Sequence, residues 1–166
     1  MQPSIMLEVV RIFVIVALIY LAYIDWRTFR LPDVITIPLI VLGLLFNYFS
    51  NFAFTNFLNA ALGGIAGFLF LWIVNVCYRY FKQRNGIGMG DAKLLSALGA
   101  WLGLSALPSI LFIASVAGLV GGLIWLRLKK QSIHAAFPFG PFLAIAGIIE
   151  LLWPQILPSL FLSNQI

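Results

Sequence analysis

Charge is scarce in this chain: of 166 residues only 9% are charged, and five are acidic. A soluble domain carries about 25% charged residues. With 63% of the residues hydrophobic, a water-soluble fold is excluded. No stretch is long and polar enough for a second, soluble domain, so residues 1–166 are expected to form one membrane-embedded domain. Cysteine is nearly absent. Cys77 alone allows no intrachain disulfide and no cysteine-rich zinc site, and its place in an apolar segment predicts a small buried side chain. The one histidine, His134, lies in a basic loop and makes no metal site by itself. No cofactor is expected. The first residues lack a basic region and a small-residue cleavage site, so the first apolar run is expected to be retained. Repeats and low-complexity tracts are also missing.

What is present is apolar length. A helix needs roughly 20 apolar residues to cross the hydrocarbon core. Six segments approach this, at residues 5–24, 34–50, 57–78, 92–107, 109–126 and 137–153. The expected fold is therefore all-α, a polytopic bundle of about six transmembrane helices. The second, fourth and sixth segments are short and would sit nearly upright or pinch the bilayer. A tight turn at Leu107, Pro108 and Ser109 is expected between the fourth and fifth.

Orientation follows from the basic residues. Arg27 and Arg30 lie in the first connection, and Arg79, Lys82 and Arg84 in the third, with Lys93 just inside the next span. Arg127, Lys129 and Lys130 lie in the fifth. The excess of positive charge marks these connections as cytoplasmic, which turns both termini outward. The formal charge of +5 is scattered between spans, without a basic face interleaved with aromatics, so nucleic acid is not an expected partner. Lipid is. Gly63, Gly64 and Gly67 in the third segment, and Gly118, Gly121 and Gly122 in the fifth, are spaced for close helix approach. The aromatics are expected mostly at lipid or interface.

Two of the five acids stand at the same predicted depth. Asp25 ends the first apolar run, and Asp91 follows the glycine run Gly86-Ile-Gly88-Met-Gly90 and opens the fourth. An ionisable residue at the membrane edge is costly and suggests function. Two carboxyls sharing a site hold one proton between them, so one can take a proton from water while the other polarises a carbonyl. That pattern suggests a two-aspartate membrane protease. Gly86, Gly88 and Gly90 would form a loop that can adopt positive φ and admit a substrate backbone beside Asp91. The glycines are not a nucleotide loop, because no strand precedes them and no Gly-Lys-Ser/Thr follows. Simpler readings stand beside these. Asp91 can be a helix-terminal cap, Asp25 can pair with Arg27 or Arg30, and Asp33 after Pro32 looks like an N-cap. Lys93 can snorkel, or hold a lipid headgroup or substrate. Glu150, deep in the last span, can snorkel or pair with Arg11.

The motifs in their order resemble the type IV leader peptidases, the prepilin peptidases. Asp25-Trp-Arg-Thr-Phe-Arg-Leu-Pro32-Asp33 resembles their first motif, and Gly88-Met-Gly90-Asp91-Ala-Lys93 their second, Gly-x-Gly-Asp-x-Lys. Leu94 to Gly103 and Pro138-Phe-Gly140-Pro141-Phe142 continue the likeness, which runs over residues 20–147. It implies a six-helix aspartic endopeptidase of the bacterial inner membrane, with Asp25 and Asp91 as the catalytic pair. Pro32, Asp33, Lys93, Pro138, Gly140 and Pro141 would support them. The implied substrate is a prepilin or a type II secretion pseudopilin, cut after a glycine between a basic cytoplasmic leader and an apolar helix. Longer members carry a cytoplasmic region with paired cysteines and also methylate the new N-terminus. Only Cys77 is present here, so methyl transfer is not expected.

Other classes fit less well. Presenilin-type proteases share Gly-x-Gly-Asp, but Tyr23-Ile24-Asp25 lacks the adjacent Tyr-Asp and Ala106-Leu107-Pro108 is not Pro-Ala-Leu. A small ion- or proton-coupled transporter would want a polar line across the spans. These hold mainly Asn59, Asn75, Ser96, Ser115 and Glu150. An inactive assembly subunit would have no need of both aspartates.

Overall fold

The computed structural model describes residues 3–50, 53–82, 88–129 and 138–154. Gly86, His134, Arg84 and Lys130 lie outside them. Among the described residues there is no strand. Six α-helices follow one another: α1 (Pro3–Thr28), α2 (Asp33–Phe49), α3 (Phe57–Lys82), α4 (Met89–Leu102), α5 (Leu107–Lys129) and α6 (Gly140–Leu152). Among the described residues, three helical stretches could cross a membrane by length and composition: Ile5–Thr28, Phe57–Phe81 and Leu104–Ile124. α2 and α6 are apolar but shorter.

The short α4 is the hub. Ten of its fourteen residues are buried, and α2, α3 and α6 pack around it. A helix covered on most sides belongs to the middle of a bundle. Small residues make this possible. At Gly63, Gly67 and Gly99 an added Cβ would run into the backbone of the facing helix, so α3 and α4 touch main chain to main chain. Ser96 Oγ donates to the Gly64 carbonyl across the same seam at 2.8 Å. On the other side, α2 buries Thr36, Leu39, Gly43 and Asn47, one helical stripe. Gly43 leaves room for the Trp101 ring, whose Nε1 donates to the Leu39 carbonyl at 2.8 Å. Asn47 Nδ2 donates to the carbonyls of Ala100 at 2.8 Å and Trp101 at 3.0 Å. A side chain of one helix thus caps the end of another.

Several expectations change. The α4–α5 junction is not at Leu107–Ser109. Gly103, with φ +90°, ends α4, a 3-10 turn follows at Leu104–Ala106, and Pro108 lies in the first turn of α5. Proline is tolerated there because the first helical N–H groups need no partner inside the helix. The α5 glycines serve differently from those of α3. Gly118 and Gly121 face the rings of Phe139 and Phe142, not a helix backbone. Cys77 is exposed, on the outer side of α3. In a bundle whose exterior is apolar, position on the helix decides burial, and small size does not. Glu150 does not snorkel. It is buried and accepts a bond from Ser109 Oγ at 2.6 Å, while Arg11 pairs with Glu8 on its own helix.

The outer faces carry large apolar side chains, among them Ile12, Val16 and Ile19 on α1 and Phe112, Leu119 and Leu123 on α5. An exterior of this extent matches hydrocarbon better than water.

Candidate active site

One end of the bundle gathers the end of α1, the start of α2, the start of α4 and the start of α6. α1 closes at Thr28. Its hydroxyl donates to the Ile24 carbonyl at 2.9 Å, and Phe29 takes a left-handed φ of 53° while its N–H bonds the Asp25 carbonyl at 2.8 Å. This is the role glycine usually plays after a helix, taken here by a bulky residue at a cost of about 1–2 kcal/mol. Pro32 then opens α2.

Asp25 lies in the last turn of α1 and Asp91 in the first turn of α4. Both are buried, with 5% and 8% of their surface exposed. The Asp25 carboxylate accepts a backbone bond from the Gly140 N–H at the start of α6, and the Asp91 carboxylate accepts one from the Gly88 N–H. The two are close enough that the charge of Asp25 is felt at Asp91. Two rare acids distant in sequence thus share one buried place, and each is held by a main-chain donor. Such a pair carries one proton more cheaply than none.

The local sequence explains the Asp91 geometry. Gly88 is the N-cap of α4 and has no side-chain oxygen to offer the free N–H groups. Asp91, three residues on, reaches back to the Gly88 N–H while its own N–H bonds the Gly88 carbonyl at 3.1 Å. This is the returning half of a capping box. Capping and membership of the pair are therefore both true of Asp91.

The positive-φ expectation fails at Gly88 and Gly90. Gly88 has φ −66° and Gly90 is helical, so neither uses positive φ. A Cβ on Gly90 would stand 2.8 Å from the Leu31 Cβ. Gly90 therefore lets the α1–α2 connection lie against the first turn of α4. Leu31 went unnoticed in the sequence, where nothing ties an apolar residue before a proline to a glycine so far along the chain. Asp25 pairs with neither arginine. The ion pairs among the described residues are Arg11–Glu8 and Lys93–Asp33, and Arg27 sits over the Tyr23 ring, 5.4 Å from its centroid. Asp33 is not a cap. It is the first residue of α2, after Pro32, and its carboxylate meets Lys93 Nζ at 2.5 Å. Lys93 thereby ties α4 to α2. Pro138, Gly140 and Pro141 are buried at the start of α6, beside Asp25 through Gly140.

Residues 12–123 match the model of the type IV leader peptidase family. The chain belongs to that family. It is 46% identical over 131 residues to a Prepilin leader peptidase/N-methyltransferase of Dickeya chrysanthemi, covering 79% of this chain and 46% of the relative. With the protein of the same name from Aeromonas hydrophila, identity is 41% over 147 residues, 89% of this chain and 50% of the relative. The chain thus spans about half the length of the curated relatives it matches. No solved structure matches it.

Proposed function

We propose that the protein is a membrane aspartic endopeptidase that removes the basic leader of type IV prepilins or type II secretion pseudopilins. Asp25 and Asp91 are the catalytic pair. The observation that carries this reading is the convergence of the two carboxyls from α1 and α4 at one buried spot, in a chain of the leader peptidase family. The names of the relatives support the substrate class. The reading concerns peptide cleavage and leaves methyl transfer aside.

The chemistry follows from one proton shared by two carboxyls. The ionised member takes a proton from water as the oxygen attacks the carbonyl carbon. The protonated member donates to the carbonyl oxygen. Collapse of the tetrahedral intermediate breaks the C–N bond: the proton gained in the first step passes to the leaving amine, and a hydroxyl of the intermediate returns its proton to the other carboxylate as the carbonyl re-forms. Burial strengthens each of these interactions.

In this reading the six helices cross the bacterial inner membrane with both termini outward. The end holding the aspartates faces the cytoplasm. A substrate whose basic leader stays in the cytoplasm and whose following helix is apolar presents its junction at that depth. Water reaches the pair from the same side.

The test is cleavage of a type IV prepilin by the purified chain in detergent, beside Asp25→Asn and Asp91→Asn. Wild type should release the leader after its terminal glycine, and each variant should lose activity while inserting and purifying normally. Cleavage that survives both substitutions refutes the pair. An equal loss in Asp33→Asn would mean that the pair is wrongly assigned.

A further inference from the structure

We propose that α6, which supplies no carboxyl, sets the geometry of the pair, and that the Gly140 N–H positions Asp25. This rests on the reading of Asp25 and Asp91 as the catalytic pair. α1 has α6 as its principal packing partner, whereas α4 packs on α2, α3 and α6. Apart from the Leu31–Gly90 contact, the placement of α1 relative to α4 is therefore carried through α6. The α4–α6 contact is close: a Cβ on Gly147 would run into the Leu98 side chain.

The start of α6 has one donor to give. Helix N-termini leave their first N–H groups without intrahelical partners. Here Pro141 has no N–H, and the N–H groups of Phe142 and Leu143 both bond the Phe139 carbonyl, at 3.1 and 3.2 Å. The Gly140 N–H is left, and it goes to the Asp25 carboxylate. Asp25 sits in the last turn of α1, the end at which a helix disfavours negative charge. The N-terminal end of α6 supplies the opposite partial charge. Only glycine fits at this point without moving the Asp25 carboxylate. A Cβ at position 140 would stand 2.6 Å from Asp25 Oδ2 and 2.9 Å from its Cγ.

Gly140→Ala should therefore displace the carboxylate and spare the fold, because the short Asp25 side chain yields before the buried α6 does. The expected result is a fall in kcat of about a hundredfold, as for a misplacement of about 1 Å, with KM little changed and an unfolding midpoint near that of wild type. Gly63→Ala is the control. Its Cβ would meet the Gly99 carbonyl at 2.5 Å, at the far end of the bundle. It should lower the unfolding midpoint and leave kcat of the folded fraction unchanged. A second measurement needs no activity. In glycine-labelled protein in micelles, amide exchange at Gly140 followed by NMR should be slow in wild type and in Asp91→Ala, and fast in Asp25→Ala. Equal exchange in all three overturns the proposal, as does wild-type kcat in Gly140→Ala. If wild type cleaves no prepilin, the functional reading falls, while the exchange experiment still decides the Gly140–Asp25 contact.

Discussion

Gly90 gives the sharpest test of how the site is built. Its missing Cβ is the space in which Leu31 sits, 2.8 Å from the Leu31 Cβ and 3.3 Å from Cδ1. Carbon atoms in contact prefer about 3.5–4.0 Å. Gly90→Ala must therefore push the α1–α2 connection and the first turn of α4 apart by about 1 Å. Leu31 is buried, so it has little freedom to swing aside. Asp91 is the next residue after Gly90, and Asp25 is tied to the connection through Phe29. A shift of about 1 Å between groups that must act together costs roughly a hundredfold in rate. Gly90→Val should cost more, because its branches reach further toward Leu31. The assay is kcat and KM on a prepilin, per mole of folded protein recovered by gel filtration. Moving the glycine across the interface is the decisive step. Leu31→Gly removes the Cβ that collides, so the Leu31→Gly, Gly90→Ala double variant should regain at least tenfold in kcat over Gly90→Ala alone. Its stability will be lower by about 3 kcal/mol or more for the lost side chain, which is why the rate is read on folded protein. A double variant no faster than Gly90→Ala, or a Gly90→Ala at wild-type rate, would refute the packing account. The glycine would then serve substrate approach alone.

Asn47→Ala tests the scaffold away from the site. It removes two buried bonds to the carbonyls of Ala100 and Trp101 and one partly buried bond from the Thr55 N–H. At about 1 kcal/mol per bond, and more where a polar group is left unpaired, the loss should be about 3 kcal/mol by denaturant titration, with kcat of the folded protein unchanged. A loss under about 0.5 kcal/mol would mean that water reaches those carbonyls. The Lys93–Asp33 pair is partly open, with 26% and 57% of the side chains exposed. Lys93→Ala should therefore cost less than about 1 kcal/mol, and exchanging the two charges should restore most of it. If Lys93→Ala instead raises KM strongly and the exchange does not rescue it, Lys93 touches substrate.

How far the sequence could be read depended on the physical range of each signal. The six helices were legible because apolar runs and the breaks between them are local. The aspartates were legible because ionisable residues are costly in lipid and few survive there without a task. Signals that depend on a distant partner were not. A proline can follow one helix or sit in the first turn of the next, and only Gly103, with its positive φ, shows that Pro108 belongs to α5. A small residue can face lipid or another helix. Gly63 and Gly67 have α4 opposite, Gly121 has a phenylalanine ring, and Cys77 has nothing that buries it. A lone acid such as Glu150 suggests a cation, yet any good donor serves a carboxyl, and Ser109 is on another helix. The same range explains why Gly140 could be named and its task could not. Its neighbours show a helix start with Pro141 lacking an N–H, which leaves one donor free, but nothing in that segment says which acceptor lies opposite. The acceptor is Asp25, at the far end of a chain folded back on itself. In this protein the two carboxyls are therefore legible in two motifs, whereas the way they meet depends on α6 and on Gly90 and Gly140, which let neighbouring segments close on them.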